Sequence, residues 1–192
     1  MQTIENRHET SIEVKHSKFI THLVPISEFD GLQDKLKSEH PKASHVVYAL
    51  RYLNEHDQIV ENSSDDGEPK GSSGLPALNV MRGEELINCA VLIVRYFGGT
   101  KLGIGGLIRA YTVAVQSICA QANIIKYEKE YIFEYETTYS DVRQIEYILE
   151  QIEIVTIDKM FGIGSVAWRL TSTQEKIDEF KSRAGRSIKW SV

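Results

Sequence analysis

Ser63 to Leu78 reads S-S-D-D-G-E-P-K-G-S-S-G-L-P-A-L; further on, Cys89 to Val94 is an unbroken apolar run, and Arg95 to Tyr111 follows as R-Y-F-G-G-T-K-L-G-I-G-G-L-I-R-A-Y. Two glycine-rich turns thus flank one apolar strand, and charged residues gather at both turns. A near-continuous apolar run of this length predicts a central strand, Cys89–Tyr96, covered on both faces. Glycine is placed where the backbone needs a positive φ or where something must approach it closely. Gly98, Gly99, Gly103, Gly105 and Gly106 therefore point to a shaped backbone surface, since a flexible spacer would lack the aromatic and aliphatic residues interleaved here. A helix from about residue 106 to residue 122 follows, with Leu107, Ala110, Tyr111, Ala114, Val115, Ile118, Cys119 and Ala122 as its apolar stripe.

Working outward toward the N-terminus, residues 10–24 predict two short strands broken near Lys15–Lys18, and Pro25 ends their pairing because it has no N–H to give. Ser27 is placed to cap a helix whose buried face carries Phe29, Leu32 and Leu36. Residues 44–53 and 58–62 predict an antiparallel pair turning at residues 54–57, and Pro76 is placed as the first residue of a short helix. Toward the C-terminus, residues 123–129 read as a linker. Beyond it come a strand at 131–139, a helix opened by Ser140 and Asp141, strands at 152–161 and 165–170 joined by a glycine turn, a helix capped by Thr173, and a strand at 187–192. That βαββαβ order is the ferredoxin-like split unit. The expected domains are residues 1–128 and 129–192.

Net charge over the 192 residues is −5, which argues against nucleic-acid binding driven by bulk charge but leaves room for a local basic patch. Cys89 and Cys119 sit in apolar runs with no C-x-x-C, so buried free thiols and a reducing, cytoplasmic setting are expected. The first residues lack the basic-then-apolar pattern of a signal peptide, and no apolar run reaches the 18 or so residues of a membrane span.

Three features carry candidate chemistry. The glycines open a helix, whose first N–H groups are unpaired and whose dipole favours an anion; Lys101 lies before it and Arg109 is expected in its first turn. Nucleotide-binding spacings fail here, which leaves generic anion or RNA-phosphate contact beside a tight structural turn. The acidic segment, Asp65, Asp66 and Glu68, reads either as a divalent-cation site or as turn chemistry with ion pairs to Arg95, Lys101 or Arg109 that fix the two loops together. His45 is placed to hydrogen-bond Asp65 or Glu68. No serine or cysteine has a nucleophile's setting. Lys181, Arg183, Arg186 and Lys189 form a further basic group, explained either by the helix dipole or by an RNA-facing edge.

At four stretches the sequence resembles the YigZ/IMPACT family: residues 15–20 (K-H-S-K-F-I), 40–49 (H-P-K-A-S-H-V-V-Y-A), 64–76 (S-D-D-G-E-P-K-G-S-S-G-L-P) and 94–111 (V-R-Y-F-G-G-T-K-L-G-I-G-G-L-I-R-A-Y). The resemblance implies an α+β chain: an N-terminal α/β sandwich like that of a small-subunit ribosomal protein and of domain four of elongation factor G, then a ferredoxin-like βαββαβ domain. It also implies translation regulation, since the family's eukaryotic members compete for a ribosome-associated activator of an initiation-factor kinase. The expected function is therefore a translation-associated protein that docks on RNA, the ribosome or a ribosome-bound partner through residues 65–74 and 98–109. Arg95, Gly99, Lys101, Gly103, Gly105, Gly106 and Arg109 are its expected contacts, with His45, Asp65, Asp66 and Glu68 organising the loops. The alternative is a small-molecule enzyme or sensor that binds a phosphate or carboxylate at residues 103–109. The reading leans away from an enzyme and expects no cofactor, metal, membrane or DNA.

Overall fold

Cys89 through Val94 are all inaccessible to solvent, because the strand they form has apolar partners on both of its faces. The computed structural model describes residues 1–185 and the backbone of 189 and 190. It divides into two units, Met1–Tyr127 and Glu128–Val192. The first contains β1 (Gln2–Thr3), β2 (His8–Val14), β3 (Ser17–Pro25), α1 (Leu32–Glu39), β4 (His45–Leu53), β5 (Ile59–Ser64), α2 (Gly74–Gly83), β6 (Cys89–Tyr96), α3 (Gly103–Cys119) and β7 (Ile125–Lys126). Its main sheet is antiparallel, in the order β2-β3-β6-β4-β5.

Period-two alternation sorts the strand residues onto two cores. Val91 and Ile93 face Ala77 and Met81 of α2 and Leu107, Tyr111, Ala114 and Ile118 of α3. Ala90, Leu92 and Val94 face the other way, against Leu32 and Leu36 of α1. Each such aliphatic side chain contributes on the order of 1.5–3 kcal/mol by leaving water.

Several local expectations shift. The residue before α1 is Gly31 in a left-handed conformation (φ 70°), preceded by a single 3-10 turn at Ile26–Glu28. Ser27 therefore caps nothing: the glycine breaks the continuous helix that its spacing suggested. The second helix, α2, starts at Gly74, so Pro76 is its third residue; that position costs no hydrogen bond because the first four helical N–H groups have no partner in any case. In α3 the helix begins three residues earlier than expected, since Gly105 and Gly106 take helical backbone angles. The supposed linker contains β7, which pairs with β1 at Gln2↔Lys126 and Thr3↔Ile125. Two-residue strands are too short for any periodicity to reveal.

The second unit contains β8 (Glu130–Thr137), α4 (Val142–Gln151), β9 (Thr156–Phe161), β10 (Val166–Thr173), α5 (Gln174–Ala184) and β11 (Lys189–Trp190). The antiparallel order β11-β8-β10-β9 with two helices is the ferredoxin-like arrangement. Tyr135 and Trp168 stack with ring centroids 5.7 Å apart, and with Leu170 they meet Ile145, Leu149 and Phe180 of the helices. Thr173 caps α5, its Oγ1 accepting from the Lys176 N–H. The second strand of this unit starts at Thr156 and not at residue 152. Ile152 and Ile154 reach the core from the turn before it, where Glu153 has a positive φ. Apart from Lys189 and Trp190, the strand expected at 187–192 lies outside the described residues, as do Arg186 and the Lys189 side chain.

Candidate functional site

Strand register brings four loops of the first unit to one end of its sheet. Val14 pairs Ser17, Lys18 pairs Tyr96, His45 pairs Arg95 and Tyr48 pairs Ser64. The β2–β3 turn at 15–16, the α1–β4 connection at 40–44, the β5–α2 loop at 65–73 and the β6–α3 loop at 97–102 therefore leave the sheet together.

The carboxylates at this end are turned inward. Asp65 Oδ2 accepts the Gly71 N–H at 2.7 Å, while Oδ1 accepts the Ser73 hydroxyl at 2.6 Å and the Gly74 N–H at 2.9 Å. Burial alone would push the Asp65 carboxyl up; the Ser73 hydroxyl and the N–H groups of Gly71, Gly74 and Ser73 together outweigh it and hold the group below the usual carboxylate range. Asp66 Oδ2 accepts the Val46 N–H at 2.7 Å, and its Oδ1 takes Lys37 at 2.5 Å. Glu68 is almost wholly buried, its Oε1 accepting from Arg95 at 2.5 Å and from the Tyr111 hydroxyl at 2.8 Å. His45 Nδ1–H donates to the Asp66 carbonyl at 2.7 Å, which leaves Nε2 at 3.9 Å from Glu68 Oε2.

Of the three cations expected to pair with the acidic segment, Arg95 alone does so. It is 5% exposed, with its guanidinium carbon 5.6 Å from the Phe19 ring centroid and 5.8 Å from that of Phe97. Arg95 thus fixes the β5–α2 loop through Glu68; removing one member of such a buried pair costs roughly 3–5 kcal/mol. Lys101 and Arg109 are exposed, and neither lies within ion-pair distance of a carboxylate among the described residues. Because α3 starts at Gly103, Arg109 falls in its second turn and not its first. His45 bonds the backbone of Asp66, and Asp65 serves the start of α2. Gly99 and Gly103 have positive φ (84° and 71°), whereas a Cβ at Gly105 would meet nothing within 4 Å and one at Gly106 only Leu102.

The tightest glycine is Gly98, which the sequence places in the glycine-rich surface but not among the named contacts. A Cβ there would sit 2.0 Å from the His16 carbonyl carbon, and its N–H donates to Ser17 Oγ at 3.1 Å. It locks the β6–α3 loop onto the β2–β3 turn. Also missed were Tyr111 as a partner of Glu68 and a lysine on each of the other three loops, Lys15, Lys42 and Lys70, which join the expected Lys101. All four are exposed, and none is within ion-pair distance of a carboxylate among the described residues. The signal was present, since each of the four family-like stretches contains one of them.

Among these loops lies a pocket of about 390 Å³. Phe97, Leu102, Ile104 and Leu107 supply its apolar walls, His45, Glu68 and Arg95 its buried polar side, and Lys101 stands at its edge. Both the imidazole and the acid that a small-ligand reading calls for are thus in place; Arg109 does not line it. Burial pushes the Cys89 thiol up to about 12 and that of Cys119 to about 11, so neither is a nucleophile at neutral pH. No three His, Cys, Asp or Glu among the described residues are arranged to hold a metal ion, and no described helix is long and apolar enough to cross a membrane.

Fold and site together define a class: an α+β protein whose N-terminal unit gathers four loops over an internally hydrogen-bonded acidic segment. Residues 15–119 match the Impact N-terminal domain, and the chain belongs to the IMPACT family. It is 33% identical to an IMPACT family member of Haemophilus influenzae, over 88% of this chain and 84% of that protein. Its identity is 32% to YvyE of Bacillus subtilis (78% and 73% covered) and 31% to YigZ of Escherichia coli (89% and 85% covered), both described as IMPACT family members. A crystal structure described as that of a hypothetical protein superposes with a TM-score of 0.70 at 26% identity, over 100% of this chain and 96% of the other.

Proposed function

We propose that the first unit docks on ribosomal or other structured RNA through the loop end of its sheet, as a translation-associated factor. The observation that supports this most directly is the charge arrangement. Four exposed lysines, one per loop, face solvent while Asp65, Asp66 and one oxygen of Glu68 are engaged by internal bonds. A chain that is acidic overall thereby presents a locally cationic surface. Phosphate contacts of this kind bind through counterion release and carry no sequence information of their own. Phe97 and Ile104, 50% and 62% exposed beside Lys101, add apolar contact. With Asp66 and Glu68 paired to Lys37 and Arg95 and Asp65 turned inward onto backbone N–H groups, the surface complements RNA phosphate better than an acidic or neutral protein face.

The test is co-sedimentation with ribosomes and with a structured RNA across a salt series. Binding should weaken with a log–log salt slope of about −3, as expected for four phosphate contacts. Replacing Lys101 by Ala should reduce that slope by about one, and combining it with Arg109→Ala should weaken binding further. Retention of neither RNA nor ribosomes at low salt would overturn the proposal. Capture of protein partners that survives nuclease treatment would move the surface to protein recognition.

A further inference from the structure

Glu68 lines the pocket beside α3 and is 97% buried at the side chain, being 3% exposed. Its Oε1 already accepts two hydrogen bonds, from Arg95 and Tyr111. Its Oε2 receives none from the described residues; the nearest donor group is His45 Nε2 at 3.9 Å, and Nδ1 of that ring carries the proton it gives to the Asp66 carbonyl. That oxygen opens onto the pocket, where water can serve it in the free protein and a ligand N–H can take the water's place. Tyr111 and Arg95 hold this carboxylate rigidly, so a ligand N–H would meet an oxygen already in place.

Three further properties of the pocket narrow the ligand. One wall is Phe97, an aromatic ring half exposed in the free protein and able to take a planar group by stacking. At the edge, Lys101 and the unpaired N–H groups opening the 17-residue helix α3 favour an anion. The volume, about 390 Å³, lies in the range that takes a small organic group. A flat group with an N–H donor on one side and an anion on the other matches all three.

We propose that this pocket receives one unpaired nucleotide of the docked RNA. The base stacks on Phe97 and gives its exocyclic amine to Glu68 Oε2, and the flanking phosphate rests on Lys101 and the start of α3. The inference rests on the RNA-docking reading and adds a preference to it. Adenine and cytosine carry such an amine, whereas uracil turns a carbonyl oxygen toward the carboxylate, and a base inside a duplex cannot enter. Recognition of splayed single-stranded bases by aromatic stacking and edge hydrogen bonds is the general mode for RNA.

The experiment is fluorescence anisotropy of the full chain with labelled dodecamers of C, A and U, and with a 12-base-pair RNA duplex, at one salt concentration. The C and A strands should bind about tenfold or more tighter than the U strand, the discrimination expected of one good base contact, and tighter than the duplex. Phe97→Ala should remove that preference, leaving weaker salt-dependent binding to all four probes, and Phe97→Tyr should restore it. Position 97 is half exposed, so the fold does not depend on its ring. If all four RNAs bind equally and Phe97→Ala changes nothing, the pocket inference fails while RNA docking stands. If the unsubstituted chain binds none of the four, both fail.

Discussion

Asp65 shows how a single side chain that reads in sequence either as a cation ligand or as turn chemistry serves in the fold as scaffolding. Its two oxygens collect the N–H groups of Gly71, Ser73 and Gly74 and the Ser73 hydroxyl, closing the loop on itself and serving the first N–H groups of α2. Its pKa in the folded state lies below the unfolded value. The stability it contributes is therefore fully present above the unfolded value, near pH 4, and is lost as pH falls through the folded one. The Asp65→Asn variant should be less stable at pH 7 by about 1–2 kcal/mol, and its denaturation midpoint should fall less steeply than the wild type's as pH drops below 4. Parallel acid limbs in the two proteins would show that Asp65 is not the linked group. Glu68 is a carboxylate of the other kind, half used within the fold and half turned to a pocket.

At the scale of elements, Cys89–Tyr96 was legible because six consecutive apolar residues, Cys89–Val94, admit few other readings, and the structure reproduces the strand's bounds. The βαββαβ order of the second unit was legible for a related reason, since its helices and strands differ plainly in period. Helix starts were less so. Glycines at 31, 105 and 106 contributed opposite outcomes, one breaking a helix and two continuing one, and only neighbouring packing decides between them. The pairing of β1 with β7 was invisible, because two-residue strands carry no pattern. Yet β1 leads into Ile4, which is 4% exposed and belongs to the same core as Leu86 and Ile118. Ile4→Ala should destabilise the protein by about 2–4 kcal/mol in a denaturant titration, as for other large-to-small core changes. A cost under about 0.5 kcal/mol would mean that this N-terminal segment does not hold the core.

On the scale of the whole molecule, the cores are separate. Both apolar clusters of the first unit draw on residues 4–124, and the cluster of the second on residues 133–184. A fragment ending at residue 127 should therefore unfold in one cooperative transition by circular dichroism, with 127 residues being ample for a core of its own. If the four lysine loops suffice for docking, it should also keep the salt-dependent RNA binding of the full chain. A fragment that lacks a cooperative transition would show that the first unit depends on the rest of the chain.

Period and spacing alone determined the βαββαβ order of the second unit, the central strand Cys89–Tyr96, and the two glycine-rich turns beside it as shaped surfaces; these follow from local period and from steric limits on the backbone. Tertiary structure decided what the charges do. Ion pairing and hydrogen bonding depend on distances across strand register, which brings residues far apart in the chain within 3 Å and leaves near neighbours unpaired. Only the folded sheet therefore reveals that three carboxylates are bonded from within the fold and that four lysines are left facing solvent.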